Sequence, residues 1–144
     1  MAVWHQRPTV EELHDWDRDT LAAHLGIEYL QIGDDFLRAR MPVDRRTCQP
    51  MGLLHGGASL ALAETVGSVA ANHCVDRARY RCVGLEINAN HARSASSGWV
   101  IGTARPAHLG RTTQVWDIRI EDQLERLVCV SRLTMAVVPT PQKV

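Results

Sequence analysis

The chain contains 144 residues, with 16 basic and 16 acidic side chains and therefore no formal net charge when its histidines are neutral. A chain of this length buries roughly 68–70% of the surface that its unfolded form exposes, which predicts one domain with one core over residues 1–144. The balanced charge disfavours broad attraction to nucleic acid or to a membrane surface, and no stretch approaches the ~18 apolar residues of a membrane span.

The N-terminal segment predicts two short helices. Thr9 and Glu12 have the spacing of a capping box, in which the Glu12 side chain reaches back to the start of a helix, and this helix should run to about Trp16. A second short helix follows and ends at Gly26, because glycine adopts the left-handed conformation that most residues avoid. Residues 1–26 are therefore expected to form short helices ahead of the rest of the domain.

A hairpin, a long apolar helix and a second group of strands follow in chain order. Trp116 and Ile118 alternate with Asp117 and Arg119, which is the two-residue period of a half-buried strand. Short connections between neighbouring strands require them to be antiparallel. The predicted strands cover residues 27–32, 36–43, 82–91, 99–106, 112–120 and 126–138, the helix covers 58–74, and a frayed tail covers 139–144. The predicted fold is α+β, an antiparallel sheet wrapped around one long central helix.

The cysteines and the N-terminus bear on cofactors and location. The four cysteines, at positions 48, 74, 82 and 129, show neither a C-x-x-C nor a zinc-ligand spacing, so we expect free thiols and no metal. No partner base for Cys48 is recognisable, which disfavours a cysteine nucleophile. Residues 1–8 lack the apolar core of a secretory signal, and we therefore expect a cytoplasmic protein. We also expect it to work without a metal or redox cofactor.

The central helix carries one charge in an apolar run. Glu64 is the only charged residue between positions 60 and 71, and burial of a lone carboxylate would cost several kcal/mol and raise its pKa, as catalysis by a base or nucleophile near neutral pH requires. Gly56 and Gly57 precede the run and leave backbone N–H groups open at the positive end of a helix, where an oxyanion would be stabilised. The alternatives are a carboxylate paired with an arginine and a glycine pair that only tightens the helix entry.

Residues 49–68 read QPMGLLHGGASLALAETVGS, and this run resembles the hotdog-fold acyl-CoA thioesterases. It is most similar to the branch of the 4-hydroxybenzoyl-CoA and phenylacetate-degradation type that contains the 1,4-dihydroxy-2-naphthoyl-CoA thioesterases and the proofreading thioesterases of enterobactin synthesis. Further blocks match in order and spacing: VDRRT at 43–47, GLEINANH at 84–91, AHLGR at 107–111 and SRLT at 131–134. The resemblance spans residues from about 25 to 138 and implies the hotdog fold and thioester hydrolysis.

The resemblance also implies roles for the residues of the motif. Glu64 matches the catalytic carboxylate, which either attacks the thioester carbonyl or activates a water. The Gly56 N–H matches the oxyanion donor, His55 assists at the carbonyl, and Gln49 orients the nucleophile or water. His55 has the alternative role of a helix cap. Ser68, four residues after Glu64 on the helix, is placed to hydrogen-bond its carboxylate.

Binding residues are expected at the ends of strands and near the acyl pocket. The phosphates of CoA call for arginine and backbone donors. The candidates are His91, Arg93, Ser94, His108 and Arg111, with solvated loop charge as the alternative for the two arginines. The resemblance places His91 along the pantetheine or acyl pocket and Met51 and Val69 near the acyl group. Met51 replaces the phenylalanine usual in the family, and Val69 resembles the dihydroxynaphthoyl-CoA type more than the proofreading type.

Helix geometry predicts a shared site. Gly56 and Glu64 are eight residues apart, which separates them by roughly 12 Å along one helix, too far for both to touch one carbonyl. We therefore expect a homodimer in which Glu64 of one chain faces Gln49, His55 and Gly56 of the other, and the resemblance implies further assembly into a tetramer. The predicted function is hydrolysis of an aromatic acyl-CoA. Alternatives are a proofreading thioesterase on a carrier protein, a hydratase, which the motif spacing disfavours, and a non-catalytic acyl-CoA binding protein.

Overall fold

The computed structural model describes residues 1–142, and Lys143 and Val144 lie outside the described part. The helices are α1 (Val10–Trp16), α2 (Leu21–His24) and α3 (Gly56–His73). The strands are β1 (Glu28–Ile32), β2 (Leu37–Pro42), β3 (Tyr80–His91), β4 (Trp99–Leu109), β5 (Thr113–Asp122) and β6 (Leu127–Pro139). Every predicted helix and strand is confirmed to within three residues at its ends.

The six strands form one antiparallel sheet in the order β1-β2-β4-β5-β6-β3. The long helix α3 crosses one face of this sheet and contacts all strands from β2 to β6. The predicted α+β arrangement around one central helix is confirmed. Because β3 pairs only with β6, it is an edge strand whose outer backbone groups have no neighbouring strand in the described chain.

Small side chains let α3 approach the sheet closely. A Cβ placed on Gly67 would lie 2.7 Å from Leu133 Cδ2, a distance that real Cβ atoms do not adopt, so the contact requires glycine. Ala63 and Ala70 are fully buried on the same helix face. Trp116 is also fully buried, as the alternating pattern of β5 predicts. The result is a closely packed helix-on-sheet core.

Asn72 fixes the C-terminal half of α3 against the edge strand. Its Nδ2 group donates to the Ser68 carbonyl at 2.9 Å and to the Cys82 carbonyl at 3.2 Å, while its Oδ1 accepts from the Cys82 N–H at 2.8 Å. A side-chain amide can serve both backbone groups of one strand residue in this way. These three hydrogen bonds of Asn72 set the position of β3 relative to the helix, and hence which strand residues face Glu64.

The two chain ends pack onto the domain. The predicted capping box is present, since Thr9 N–H donates to the Glu12 carboxylate at 2.8 Å and Glu12 N–H donates to Thr9 Oγ1 at 3.2 Å. Gly26 has a φ of +73°, as expected of a left-handed helix end. At the other end β6 reaches Pro139, and Thr140 N–H donates to the Arg79 carbonyl at 2.9 Å, so the first residues of the segment expected to fray are ordered by backbone contacts.

Two further observations concern the helices and the cysteines of the described residues. Among the helices in residues 1–142, none has the length and apolar character needed to cross a membrane. The four thiols are free, and burial raises the pKa of Cys74 to about 12 and that of Cys82 to about 11, so both are protonated near neutral pH.

His73 makes stability depend on pH. The buried ring donates from Nδ1 to the Val69 carbonyl at 2.8 Å and accepts at Nε2 from Arg77 at 3.1 Å, an arrangement that requires the neutral ring. Burial, opposed by the Val69 hydrogen bond and aided by the nearby Arg77 charge, holds the pKa of His73 below its usual value. The unfolded state therefore binds a proton more readily than the folded state as pH falls through about 6.5.

We expect the free energy of unfolding in urea to fall as the pH is lowered from about 7.5 to about 5.5. His73→Gln should reduce this slope, because glutamine keeps a donor and an acceptor but does not titrate. His24→Gln, at an exposed histidine of α2, is the matched control and should reduce the slope less than His73→Gln does. Equal slopes in the wild type and in His73→Gln would contradict the assignment.

Candidate active site

A groove of 330 Å³ brings together five of the residues that the sequence indicated: Gln49, Gly56, His91, Arg93 and Ser94. They come from the loop before α3, the first turn of α3, the end of β3 and the loop that follows it. Two of them were expected to act on the thioester and three to bind CoA. The groove therefore joins the two predicted sets in one place.

The loop before α3 is folded by its own backbone. Gln49 N–H donates to the Leu53 carbonyl at 2.8 Å and Gly52 N–H returns to the Gln49 carbonyl at 2.9 Å, in a turn where Gly52 takes a φ of +77°. Met51 N–H donates to Gln49 Oε1. Because its oxygen is engaged, the Gln49 side chain presents its NH₂ group as a donor. The local turn thus fixes which end of the amide is available in the groove.

His55 is the N-cap of α3. Its Nδ1 accepts from the Gly57 N–H at 2.8 Å, and its carbonyl accepts from the Ala58 N–H at 3.0 Å. The capping role considered from the sequence is therefore observed. In the neutral ring this leaves the proton on Nε2, which remains able to donate.

The Gly56 N–H is the open donor at the start of α3. It donates to no acceptor among residues 1–142, whereas the next N–H groups of the helix are satisfied by His55. A Cβ on residue 56 would lie 2.9 Å from Nε2 of His91, so only glycine allows the ring to sit this close. An unpaired N–H at the positive end of a helix is suited to a developing negative charge.

Glu64 is exposed, which corrects the expectation that it is a buried acid. The buried face of α3 passes through Ala63 and Gly67, and Glu64 projects beside it, over the edge of the sheet. Its Oε1 lies 2.8 Å from where a Cβ on Gly84 would be. Since β3 is the last strand, no further strand of the described chain covers the carboxylate.

The expected hydrogen bond between Ser68 and Glu64 is absent from the described residues. Ser68 Oγ instead lies 3.8 Å from Met135 Sδ, a weak acceptor, because Ser68 faces β6 and not the sheet edge. Val69 is half-buried against the core. Met51 is 78% exposed beside the groove and contacts no acyl pocket enclosed by this chain alone.

The remaining predicted residues divide between the two ends of β3. The groove lies at His91, while Glu64 lies at Gly84, seven positions away, or roughly 23 Å along an extended strand. His108 and Arg111 lie near the Glu64 end: β5 begins opposite Ala136 of β6, and Ala136 pairs with Val83 on its other side. A single chain therefore does not bring the Gly56 N–H and the Glu64 carboxylate together.

Sequence reasoning missed two residues of this region. Ser59 is 1% exposed and lines the groove one turn after Gly56, and the signal for it is a polar residue on the apolar face of α3. Gly84 is the strand position over which Glu64 lies, and its signal is a glycine inside a strand, which often marks close approach of another group.

The sheet wrapped around α3, with an unpaired backbone N–H at the start of the helix and a carboxylate two turns later, is the arrangement of a hotdog-fold thioester hydrolase. The chain belongs to the thioesterase superfamily, whose family model matches residues 51–129.

Relatives extend this similarity over nearly the whole chain. The 1,4-dihydroxy-2-naphthoyl-CoA hydrolase of Escherichia coli K12 is 51% identical over 94% of this chain and 98% of its own length. The proofreading thioesterase EntH of Cronobacter turicensis is 52% identical over the same shares. The crystal structure of a mutant of thioesterase PA1618 from Pseudomonas aeruginosa has a TM-score of 0.95 at 51% identity and covers 96% of this chain and 100% of that one.

The contact between Gly56 and His91 generates a prediction. Gly56→Ala should lower kcat/KM for a thioester by about tenfold or more, because the added methyl group displaces His91 and narrows the groove. The free energy of unfolding should change by less than about 1 kcal/mol, since the exposed ring can turn away and alanine is the better helix former.

Thiol release and urea unfolding measure the two effects. Gly56→Ala/His91→Ala is the matched variant: without the ring the methyl group meets no clash, so Gly56→Ala should lower kcat/KM less in the His91→Ala background than in the wild type. If Gly56→Ala kept the wild-type kcat/KM, the close approach of His91 to Gly56 would not matter for turnover.

Proposed function

We propose that the protein hydrolyses an aromatic acyl-CoA to the free acid and CoA. The observation that carries the proposal is the Gly56 N–H, which is unpaired within the described residues and opens into a groove that also holds Gln49 and Arg93. The substrate class is that of 1,4-dihydroxy-2-naphthoyl-CoA, benzoyl-CoA or phenylacetyl-CoA. The name of the Escherichia coli relative supports the first of these.

Two copies of the chain complete the site. The edge strand β3 exposes Leu85 at 62% and Val83 at 39%, and its outer backbone groups are open to pairing. An antiparallel pair of β3 strands centred on Ile87 or Asn88 would set Gly84 opposite residue 90 or 92 of the second copy. Glu64, which lies over Gly84, would then reach the groove of that copy, and pairing would remove the carboxylate from water.

The reaction follows from these positions. The thioester oxygen accepts the Gly56 N–H, with the His55 Nε2–H and the Gln49 NH₂ group as further donors nearby. Glu64 of the other chain either attacks the carbonyl carbon or removes a proton from an attacking water. The C–S bond breaks, the thiolate leaves and takes up a proton, and water hydrolyses the acyl-enzyme anhydride if the first route is taken. The hydrolysis needs no cofactor.

The binding residues fit the same dimer. Arg93 and Ser94 border the groove, and His108 and Arg111 lie at the Glu64 end, so one shared site would receive donors from both chains. Arginine and serine supply donors for the CoA phosphates. Met51 and Val69 would shape the acyl pocket once the second copy encloses it.

The proposal also includes the oligomeric state, the location and the partners expected from the sequence. Two such dimers would associate as a tetramer, in the cytoplasm, without nucleic acid or membrane as a partner. A carrier-protein thioester is the second candidate substrate, supported by the similarity to the proofreading thioesterase EntH. Simple binding of acyl-CoA without turnover is disfavoured, because binding alone gives no reason for an oxyanion donor and a carboxylate on the same helix.

Complementation tests the shared site. Glu64→Ala and Gln49→Ala homodimers should each be inactive, and a mixed dimer should contain one intact and one doubly altered site. With random mixing, about half of the dimers are mixed, so activity should recover to roughly one quarter of wild type if the sites are independent. Thiol release from benzoyl-CoA or naphthoyl-CoA gives the activity, and mass analysis confirms exchange. Mixed dimers as inactive as their parents would exclude a site shared between chains.

Arg93→Ala and Arg111→Ala test the CoA contacts. Both should raise KM for CoA esters with less effect on kcat, because contacts to a remote nucleotide are made equally in the ground and transition states. A truncated pantetheine thioester is the control substrate and should be insensitive to both changes. Equal losses on the two substrates would remove these arginines from the CoA site.

A further inference from the structure

Ser59 is the exception among the buried polar residues of the described chain. Five polar residues there are 7% exposed or less: Thr47, Ser59, His73, Gln114 and Ser131. The other four side chains each form a hydrogen bond with another residue. The Ser131 hydroxyl, for example, donates to the Asn88 carbonyl at 2.8 Å. The Ser59 hydroxyl forms no hydrogen bond with any of residues 1–142.

The usual partner within a helix does not satisfy the Ser59 hydroxyl. A serine inside a helix can bond the carbonyl four residues back, which is that of His55. This carbonyl already accepts from the Ala58 N–H at 3.0 Å and from the Ser59 N–H at 3.2 Å. Every fully buried side-chain nitrogen and oxygen in residues 1–142 has a hydrogen-bond partner. Because the Ser59 oxygen has none, it is not sealed in the core but opens into the groove that Ser59 lines.

Packing alone does not require a serine at this position. The same helix has alanine at three other positions that are 0% exposed: 63, 70 and 71. Alanine is close to serine in size, is the better helix former and leaves no polar group to satisfy. A buried hydroxyl without a partner costs free energy, which a hydrogen bond recovers. A molecule bound in the groove would supply that bond.

The Ser59 hydroxyl lies near the proposed oxyanion donor without sharing its acceptor. Ser59 follows Gly56 by three residues, roughly 4.5 Å along the helix, and helix side chains lean toward the N-terminus. The Gly56 N–H points out of the helix end, so an oxygen bound to it lies on the far side of Gly56 from Ser59. The hydroxyl is therefore placed to contact the atoms next to the thioester carbonyl.

We propose that the Ser59 hydroxyl hydrogen-bonds the first amide of the pantetheine arm, which follows the thioester sulfur after two methylene groups. The inference rests on the thioesterase function proposed above. With the carbonyl at the Gly56 N–H and the phosphates toward Arg93, the arm lies along the groove that Ser59 lines. A hydroxyl can donate to an amide carbonyl or accept from an amide N–H. Ser59 is thus a specificity-determining residue that favours thioesters carrying this amide.

Stability and substrate binding should respond differently to Ser59→Ala. The urea midpoint should stay the same or rise, because no hydrogen bond within the chain is lost and alanine favours the helix. KM for benzoyl-CoA should rise roughly three- to tenfold with little change in kcat, since the bond is made equally in the ground and transition states. Ser131→Ala is the matched control: it loses the bond to Asn88, so its urea midpoint should fall while KM changes by less than about twofold.

Two smaller thioesters locate the contact. Benzoyl-N-acetylcysteamine keeps the first amide but lacks the phosphates, so Ser59→Ala should raise its KM as much as that of benzoyl-CoA, whereas Arg93→Ala should not. S-Butyl thiobenzoate lacks the amide. Its inhibition constant against benzoyl-CoA hydrolysis should be the same in the wild type and in Ser59→Ala, and this measurement does not depend on turnover of the butyl thioester itself.

The other outcomes would overturn the contact. Equal weakening of the butyl thioester would place the Ser59 hydroxyl at the thioester or the acyl group and not at the amide. A fall in urea midpoint as large as that of Ser131→Ala would show that the hydroxyl has a partner within the protein. An unchanged KM for benzoyl-CoA in Ser59→Ala would remove Ser59 from the substrate and leave the thioesterase function standing. Hydrolysis of neither benzoyl-CoA nor benzoyl-N-acetylcysteamine by the wild type would overturn the proposed function and this inference with it.

Discussion

The close packing of α3 against the sheet is the constraint on which the rest of the structure depends. Gly67 brings the helix against Leu133, and Asn72 ties it to both backbone groups of Cys82. These contacts fix the position of the helix relative to the edge strand. With these contacts made, the start of α3 lies at His91 and Glu64 lies at Gly84.

This packing places the two groups proposed to act on the thioester, the Gly56 N–H and Glu64, toward opposite ends of one strand. The groove gathers hydrogen-bond donors, namely the Gly56 N–H, the Gln49 amide and an arginine, and it holds no carboxylate. The single carboxylate of α3 lies elsewhere and is exposed. In the proposed mechanism the donors of the groove and the carboxylate act on one thioester, and a second chain would bring them together. The edge strand that lies between them is also the strand with no neighbour, which makes it the natural surface for that encounter.

The sequence predicted the fold well because its signals are local. The capping box of Thr9 and Glu12, the left-handed Gly26 and the alternation around Trp116 each depend on neighbouring residues, and each is found in the structure. Local signals do not decide between the two predicted roles of His55. A histidine before a helix can act as a cap or as a donor, and only the observed hydrogen bond from the Gly57 N–H shows that it caps through Nδ1.

By itself the sequence determined the class of fold and the separation of Gly56 from Glu64 along the helix, because periodicity and helix rise are properties of the local chain. Only the tertiary structure decided that Glu64 is exposed and that Ser68 turns toward Met135. These facts depend on which strand lies at the edge and on which elements pack beside it. Residues far apart in the chain set them, and no local pattern records such contacts.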